Sequence, residues 1–138
     1  MNKQQVFERI VDHLLAQKEP ALNPGKYACM YRGENGKKCA VGVLIPDEEY
    51  LSGFEGKDVR ELLNHYPRLH TVFDLSEEYD GELRLLVMLQ DIHDASEYRV
   101  PLSKPEKFEL TNKHFCDRVR RVAERAELVM PTRWGIQS

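Results

Sequence analysis

Residues 82–95, ELRLLVMLQDIHDA, carry the strongest structural pattern in the chain. Apolar side chains recur there at the i, i+3 and i+4 spacing that places them on one broad face of a helix. These residues are Leu85, Leu86, Met88, Leu89 and Ile92. The pattern predicts a helix over 82–95 and favours a mainly helical fold.

Helical patterns also lie on either side of this segment. Residues 2–17, 57–65 and 112–128 each place apolar side chains on one face, and a weaker pattern at 66–80 is compatible with one more short helix. Asn112 is a suitable N-terminal cap for the last helix, because its side chain accepts hydrogen bonds from unpaired backbone amides.

A β-hairpin is predicted between the first two helices, with strands at 27–32 and 37–45. The intervening GENG contains Asn35 and Gly36, which tolerate the positive φ that tight hairpin turns require. The two runs on either side are therefore expected to pair in antiparallel fashion.

The second of these runs, CAVGVLI at 39–45, is also compatible with the start of a short buried helix, because periodicity does not resolve so short an apolar stretch. PDEEY at 46–50 predicts a helical turn that begins at Pro46. The fold class predicted from all these patterns is mainly α (α+β), with four to five helices packed around one short β-hairpin.

The composition is that of a globular protein. The chain has 138 residues, of which 41% are hydrophobic and 31% charged, and its formal net charge is -3. This length predicts a single domain over 1–138, whose tail at 129–138 packs back through Trp134. A net acidic chain disfavours nucleic acid as a partner, since phosphate binding needs a basic excess.

The sequence also bears on the compartment. Its N-terminus lacks the apolar run of a signal peptide, and no stretch reaches the roughly 18 apolar residues that cross a bilayer. We therefore expect a cytoplasmic protein without membrane contact. An odd number of cysteines, 3, in a reducing compartment predicts thiols rather than a disulfide framework.

The densest group of reactive residues is CMYRGENGKKCAVGVLIPDEEY, residues 29–50. GENGKK lacks the glycine spacing and the hydroxyl residue of a phosphate-binding loop. Cys29 and Cys39 are too far apart in sequence for the close ligand pairs of structural zinc. Neither hairpin register sets them opposite each other for a disulfide. No metal and no cofactor are therefore expected.

A cysteine nucleophile is one functional alternative. Nearby lysines favour a thiolate at Cys39, and His93, on the buried face of its helix, would act as the base. Asp94 lies roughly 100° from His93 around the helix, so Asp47 or Asp91 would have to orient the ring. The same cysteine and histidine are equally typical of core positions.

Binding is the other alternative. Tyr31, Arg32, Lys37 and Lys38 surround the predicted turn, and a guanidinium group pairs well with carboxylates and phosphates. The basic run RVRRVAER at 118–125 alternates with core positions, which is typical of the solvated face of an amphipathic helix.

The block at 29–50, together with LQDIHD at 89–94, resembles a group of small uncharacterised proteins of tailed phages and proteobacterial prophages. Those proteins have a Tyr-Arg and glycine turn that leads into Lys-Cys-Ala-Val-Gly, and later a Gln-x-x-His-Asp helix. The likeness spans about residues 5–95 and implies a source and a layout rather than a reaction. The positions to which it points are Tyr31, Arg32, Cys39, Gly42, Asp47, His93 and Asp94.

These observations together predict a small phage-type accessory protein in the host cytoplasm. It would bind a host macromolecule, above all a protein, with a role in host takeover or anti-defence. The alternative is a cysteine-dependent hydrolase or transferase that uses Cys39 and His93.

Overall fold

The computed structural model describes residues 2–17, 21, 29–75, 79–94 and 105–136, with side chains from 81 and from 113 onward in the last two segments. The described residues form five α-helices: α1 (Lys3–Gln17), α2 (Val59–His65), α3 (Arg68–Val72), α4 (Tyr79–Asp94) and α5 (Pro105–Ala126). Short 3-10 turns lie at Glu34–Gly36, Gly42–Leu44, Asp47–Glu49, Ser52–Phe54 and Thr132–Trp134. The prediction of a mainly helical fold is confirmed.

Helix α4 lies at the centre and packs against α1, α2 and α5. Its Leu85, Leu86 and Leu89 have no exposed surface, as the broad apolar face in the sequence predicts. Each fully buried leucine contributes roughly 1.5–3 kcal/mol relative to an exposed one. Helix α1 supplies the facing side chains: Val6, Phe7, Ile10, Val11 and Leu14.

Two helices begin earlier than predicted, by three residues or more. Helix α4 begins at Tyr79 rather than at residue 82, and the predicted last residue, Ala95, lies outside the described residues. Helix α5 begins at Pro105, so Asn112 lies inside the helix and does not cap it. Proline suits a first helical position, because its φ is already helical and its missing N–H would have no partner there.

The predicted β-hairpin is wrong. Residues 29–45 are all described and contain no strand, only a bridge residue at Cys29 and an isolated antiparallel bridge between Arg32 and Lys38. Residues 27 and 28 of the first predicted strand lie outside the described residues. Asn35 and Gly36 do have positive φ, 58° and 74°, but they belong to a 3-10 turn. The bridge therefore does not extend into a ladder.

The second predicted strand turns inward instead of continuing. The chain enters the 3-10 turn Gly42–Leu44, where a Cβ atom on Gly42 would lie 2.2 Å from the carbonyl oxygen of Tyr31. A strand would put alternate residues of this run on an exposed face, yet Cys39, Ala40 and Val41 are all completely buried. The run thus contains a three-residue 3-10 turn, which is nearer to the helical alternative for CAVGVLI than to the strand.

The C-terminal tail packs on α1. The ring of Trp134 meets Phe7 edge to face, with centroids 5.2 Å apart. Its indole Nε1 donates a hydrogen bond to Asp12 at 2.6 Å, and Arg133 forms ion pairs with Glu8 at 3.0 Å and Asp12 at 2.8 Å.

Candidate functional site

The C-terminal end of α4 holds a completely buried histidine, His93. Its Nε2 accepts a hydrogen bond from the peptide N–H of Ala21 at 2.9 Å, and its Nδ1 lies 2.8 Å from the carboxylate of Asp94. Because Nε2 accepts a hydrogen bond, the neutral ring carries its proton on Nδ1, and this N–H donates a hydrogen bond to the Asp94 carboxylate. Both ring nitrogens therefore take part in bonds within the protein.

Asp94 and Gln90 extend this network. The Gln90 amide donates to Asp94 at 2.9 Å and accepts from the peptide N–H of Val41 at 3.1 Å. Burial raises the pKa of the Asp94 carboxyl, but hydrogen bonds from His93, Gln90 and Cys29 outweigh this effect and leave that pKa below its usual value. We refer to Gln90, His93 and Asp94 as the α4 anchor, since they hold Ala21, Cys29 and Val41 in place.

Two side chains of helix α1 also bind the loop that contains Val41, at the backbone of Lys38. The Gln17 side chain accepts from the Lys38 peptide N–H at 2.9 Å and donates to the Lys38 carbonyl at 2.8 Å. His13 Nε2 lies 2.9 Å from that carbonyl, to which it donates. Burial lowers the pKa of His13, because it disfavours the charged ring.

The residues of the cysteine hypothesis are placed as follows. Cys39 has no exposed surface, its sulfur accepts from the Gly42 peptide N–H at 3.2 Å, and burial raises the pKa of its thiol far above the ordinary range. Asp47 is exposed and forms ion pairs with Arg32 and Lys38. The carboxylate that contacts the His93 ring is that of Asp94. The geometry therefore gives Cys39 neither access to substrate nor a stabilised thiolate.

The residues of the binding hypothesis are tied into the loop. Tyr31 is 5% exposed and its hydroxyl donates to the Lys57 carbonyl at 2.7 Å. The Arg32 guanidinium donates to Asp47 and to the Ile45 carbonyl. These contacts give both side chains a structural role.

Further contacts hold the predicted turn itself. The Glu55 carboxylate accepts from the peptide N–H groups of Tyr31 at 2.8 Å and Arg32 at 3.1 Å. The Lys38 ammonium lies 3.7 Å from Asp47, and Lys37 is half-buried beside the turn. The surface around the turn is therefore largely committed to interactions within the chain.

The described residues contain one group with the donor atoms of a metal site: Cys29, His93 and Asp94, whose ligand atoms lie within 4.8 Å of one another. A histidine that binds a metal normally donates its other ring N–H to a carbonyl or a carboxylate. Here the second nitrogen faces the Ala21 N–H, itself a donor. A metal at His93 would break one of its hydrogen bonds, so the group fits a hydrogen-bond network better than a metal site.

A cleft of about 650 Å³ opens between α2 and α4, above residues 29–31, and we call it the α2–α4 cleft. Its charged lining consists of Glu55, Asp58, Asp91, Asp94, Lys57 and Arg60. Four carboxylates against two cations make a net charge of -2. Val59 and Val87 supply apolar wall.

The carboxylates of the cleft differ in the hydrogen bonds that they already make within the chain. Glu55 holds the loop at 31–32, Asp58 caps α2 by accepting from the Glu61 N–H at 2.8 Å, and Asp94 belongs to the α4 anchor. Burial, and then the nearby Asp94, raise the pKa of Asp91, and the charge of Arg118 on α5 offsets only part of this rise. Asp91 is thus the cleft carboxylate that an incoming cation would stabilise most directly.

No protein-family model, curated protein or solved structure matches this chain. The resemblance to phage and prophage proteins therefore stays a prediction. None of the helices in the described part of the chain combines the length and apolarity of a membrane span.

Two residues with a clear place in the site lay outside the sequence hypotheses: Gln90, and Cys29 as a partner of Asp94. Asp91 was expected only as a possible partner of the His93 ring, and it lines the α2–α4 cleft instead. One signal did point to Gln90. It lies three residues before His93 on the strongest helix, and two polar side chains one turn apart beside a buried face indicate shared partners.

Proposed function

We propose that this chain is a small accessory protein, of the type encoded by phages and prophages, that binds a segment of a host protein in the α2–α4 cleft. The observation that carries the proposal is the cleft itself, an open cavity of about 650 Å³ with mixed apolar and charged walls. That volume lies within the range of ligand sites in proteins. A role in host takeover or anti-defence is the setting that the resemblance suggests.

The charges of the cleft favour a basic partner segment. A lysine or arginine side chain could lay its methylene stem along Val59 and Val87 while its charged head meets Asp91. The net charge of -2 in the lining would favour the approach of such a segment. We therefore propose a lysine- or arginine-containing peptide segment as the occupant.

The enzymatic alternative draws less support from the geometry. Cys39 is sealed in the core with a raised pKa, and the His93 ring already uses both nitrogens. Cys29 is half-buried at the cleft wall, but its hydrogen-bond partner is the Asp94 carboxylate, and an anionic neighbour opposes thiolate formation. Neither cysteine has the cationic surroundings of a typical nucleophile.

The proposal can be tested with two short peptides that differ only at a central arginine or glutamate. We expect the arginine peptide to shift backbone amide resonances of residues 57–60 and 87–94 in an NMR titration, and the glutamate peptide to leave them unchanged. Asp91→Asn should weaken binding of the arginine peptide by about tenfold or more, because a charge-assisted contact contributes roughly 1.5–3 kcal/mol when fully formed. Equal shifts from both peptides would refute the proposal.

A second experiment addresses the protein partner. A photo-crosslinking amino acid at Arg60, on the exposed rim of the cleft, should form a specific adduct in host lysate, whereas one at the exposed Thr71 on α3 should not. The partner identified in this way must then bind as a purified protein and lose affinity for Asp91→Lys. A purified partner with equal affinity for both forms of the chain would contradict binding in the cleft.

A further inference from the structure

Helix α5 presents a second charged surface, separate from the α2–α4 cleft. Arg118, Arg121 and Arg125 follow the i, i+3, i+7 spacing and therefore share one face of the helix. They line a small cavity of about 140 Å³ against α4, which we call the α5 arginine cavity. The remaining lining consists of Met88, Asp91, Ile92 and Val122.

We propose that the α5 arginine cavity binds a single phosphate group, either inorganic phosphate or the terminal phosphate of a small phosphorylated metabolite. Guanidinium groups are planar forks whose N–H donors match the spacing of phosphate oxygens. The lining also contains apolar side chains, along which arginine stems can pack while the guanidinium groups stay accessible. This site does not depend on the function proposed for the cleft.

The charge balance of the cavity suits a dianion. Three arginines and one carboxylate, Asp91, give the lining a net charge of +2, and the charge of Arg118 already acts to lower the pKa of Asp91. Arg118 has an interaction within the chain, so the exposed Arg121 and Arg125 are the arginines that a ligand would meet first. A phosphate monoester carries about -1.5 to -2 at neutral pH. Arg120 ion-pairs with Asp117 outside this lining, and the neighbouring Glu124 is exposed. The cavity is thus a local positive site on a chain whose overall charge is -3.

Size and surroundings select a small phosphate ligand over nucleic acid. A volume of about 140 Å³ is enough for one phosphate group, and the rest of a larger ligand would extend outside the cavity. Nucleic-acid backbones are followed by extended basic surfaces. The acidic residues Asp117 and Glu124 flank the arginines along α5, and they would repel a continuous phosphate backbone.

The site can be tested with inorganic phosphate and with phenyl phosphate as a model monoester, at constant ionic strength. We expect saturable NMR shifts of residues 88–92 and 118–125. Arg121→Gln and Arg125→Gln, at two exposed positions, should each weaken binding by about tenfold or more, since each removes a charge-assisted contact. Arg121→Lys should weaken it too, because lysine keeps the charge but loses the fork.

Matched variants separate this site from general electrostatics. Arg9→Gln removes the same charge from an exposed position on α1 and should leave phosphate binding unchanged. Asp91 lines both cavities. Asp91→Asn removes a negative charge, so it should strengthen phosphate binding in the α5 arginine cavity and weaken binding of the arginine peptide in the α2–α4 cleft. The opposite signs make failure of one proposal distinguishable from failure of the other.

Three results would overturn the inference. The first is the absence of saturable shifts up to about 10 mM phosphate, where a ligand with a Kd of about 1 mM would be mostly bound. The second is an equal loss of affinity in Arg9→Gln. The third is binding of an RNA oligonucleotide through these arginines with no binding of either phosphate probe.

Discussion

Replacing Gly42 with alanine tests the packing that turns the apolar run at 39–45 away from a strand. The added Cβ would lie 2.2 Å from the Tyr31 carbonyl oxygen, 3.0 Å from the Tyr31 carbonyl carbon and 3.2 Å from the Cys39 sulfur. Two of these three neighbours are backbone atoms, which cannot rotate aside as a flexible side chain can. The loop must therefore move by about 1 Å to restore ordinary contact distances.

The expected cost follows from this displacement. Overpacking a well-filled core costs roughly 1–3 kcal/mol, and replacing glycine by alanine returns about 0.4–1 kcal/mol by restricting the unfolded chain. The difference between these two terms leaves an expected fall of about 1–2 kcal/mol in the free energy of unfolding, measured by urea denaturation at neutral pH. A shift of the loop would also lengthen the hydrogen bond from the Val41 peptide N–H to the Gln90 side-chain oxygen, which is 3.1 Å in the structure.

The same substitution at Gly81 is a matched control. Gly81 lies in α4, and its added Cβ would meet only the Lys3 side chain at 3.6 Å and beyond, an ordinary contact. Alanine is favoured over glycine inside a helix, so Gly81→Ala should raise stability by about 0.5–1 kcal/mol. If Gly42→Ala unfolds at the same urea concentration as the wild type, the inferred clash between the added Cβ and the Tyr31 carbonyl is wrong.

Three further predictions concern the buried polar groups and thiols. His93→Phe should lower the free energy of unfolding by about 2 kcal/mol, because the buried Ala21 amide loses its acceptor; a loss below about 0.5 kcal/mol in urea denaturation would contradict this. The lowered pKa of His13 means that the unfolded chain binds more protons, so stability should fall as pH drops below the ordinary value of 6.5; in His13→Gln this part of the pH dependence should disappear from denaturation curves. Cys39 should react with a thiol reagent at least about a hundredfold more slowly than the half-buried Cys29, as followed by mass spectrometry, and equal rates would show that the core is open.

The helices could be predicted because their signal is local. The apolar spacing of α1, α2 and α4 follows from 3.6 residues per turn, and each of those faces is buried in the structure. The start of α5 was missed because Pro105 and Asn112 are both plausible first-turn residues. A choice between them is not encoded in periodicity.

The hairpin was mispredicted for the opposite reason. Asn35 and Gly36 have the positive φ that the sequence indicates, yet the run at 39–45 is buried except at Val43, which is partly exposed, and it shows no alternation between a buried and an exposed face. Whether such a run extends or turns depends on what surrounds it. Here Gly42 meets the Tyr31 carbonyl, and side chains from α1 and α4 hold the Lys38 and Val41 backbone groups.

The candidate site was also predictable only in part. The burial of His93 follows from its position beside Leu86 and Leu89, but its partner does not. A helical wheel gives the direction of each Cβ atom and says nothing about side-chain rotation, by which Asp94 reaches the ring despite an offset of roughly 100°.

The sequence by itself determined a helical chain with a buried histidine at the end of its central helix, because helix periodicity and burial are properties of neighbouring residues. Only the tertiary structure decided that Ala21, Cys29 and Val41 meet at the α4 anchor, that Cys39 is sealed in the core, and that two charged cavities flank α4. These features join residues that are distant along the chain. Their positions depend on how the helices pack, which no local pattern specifies.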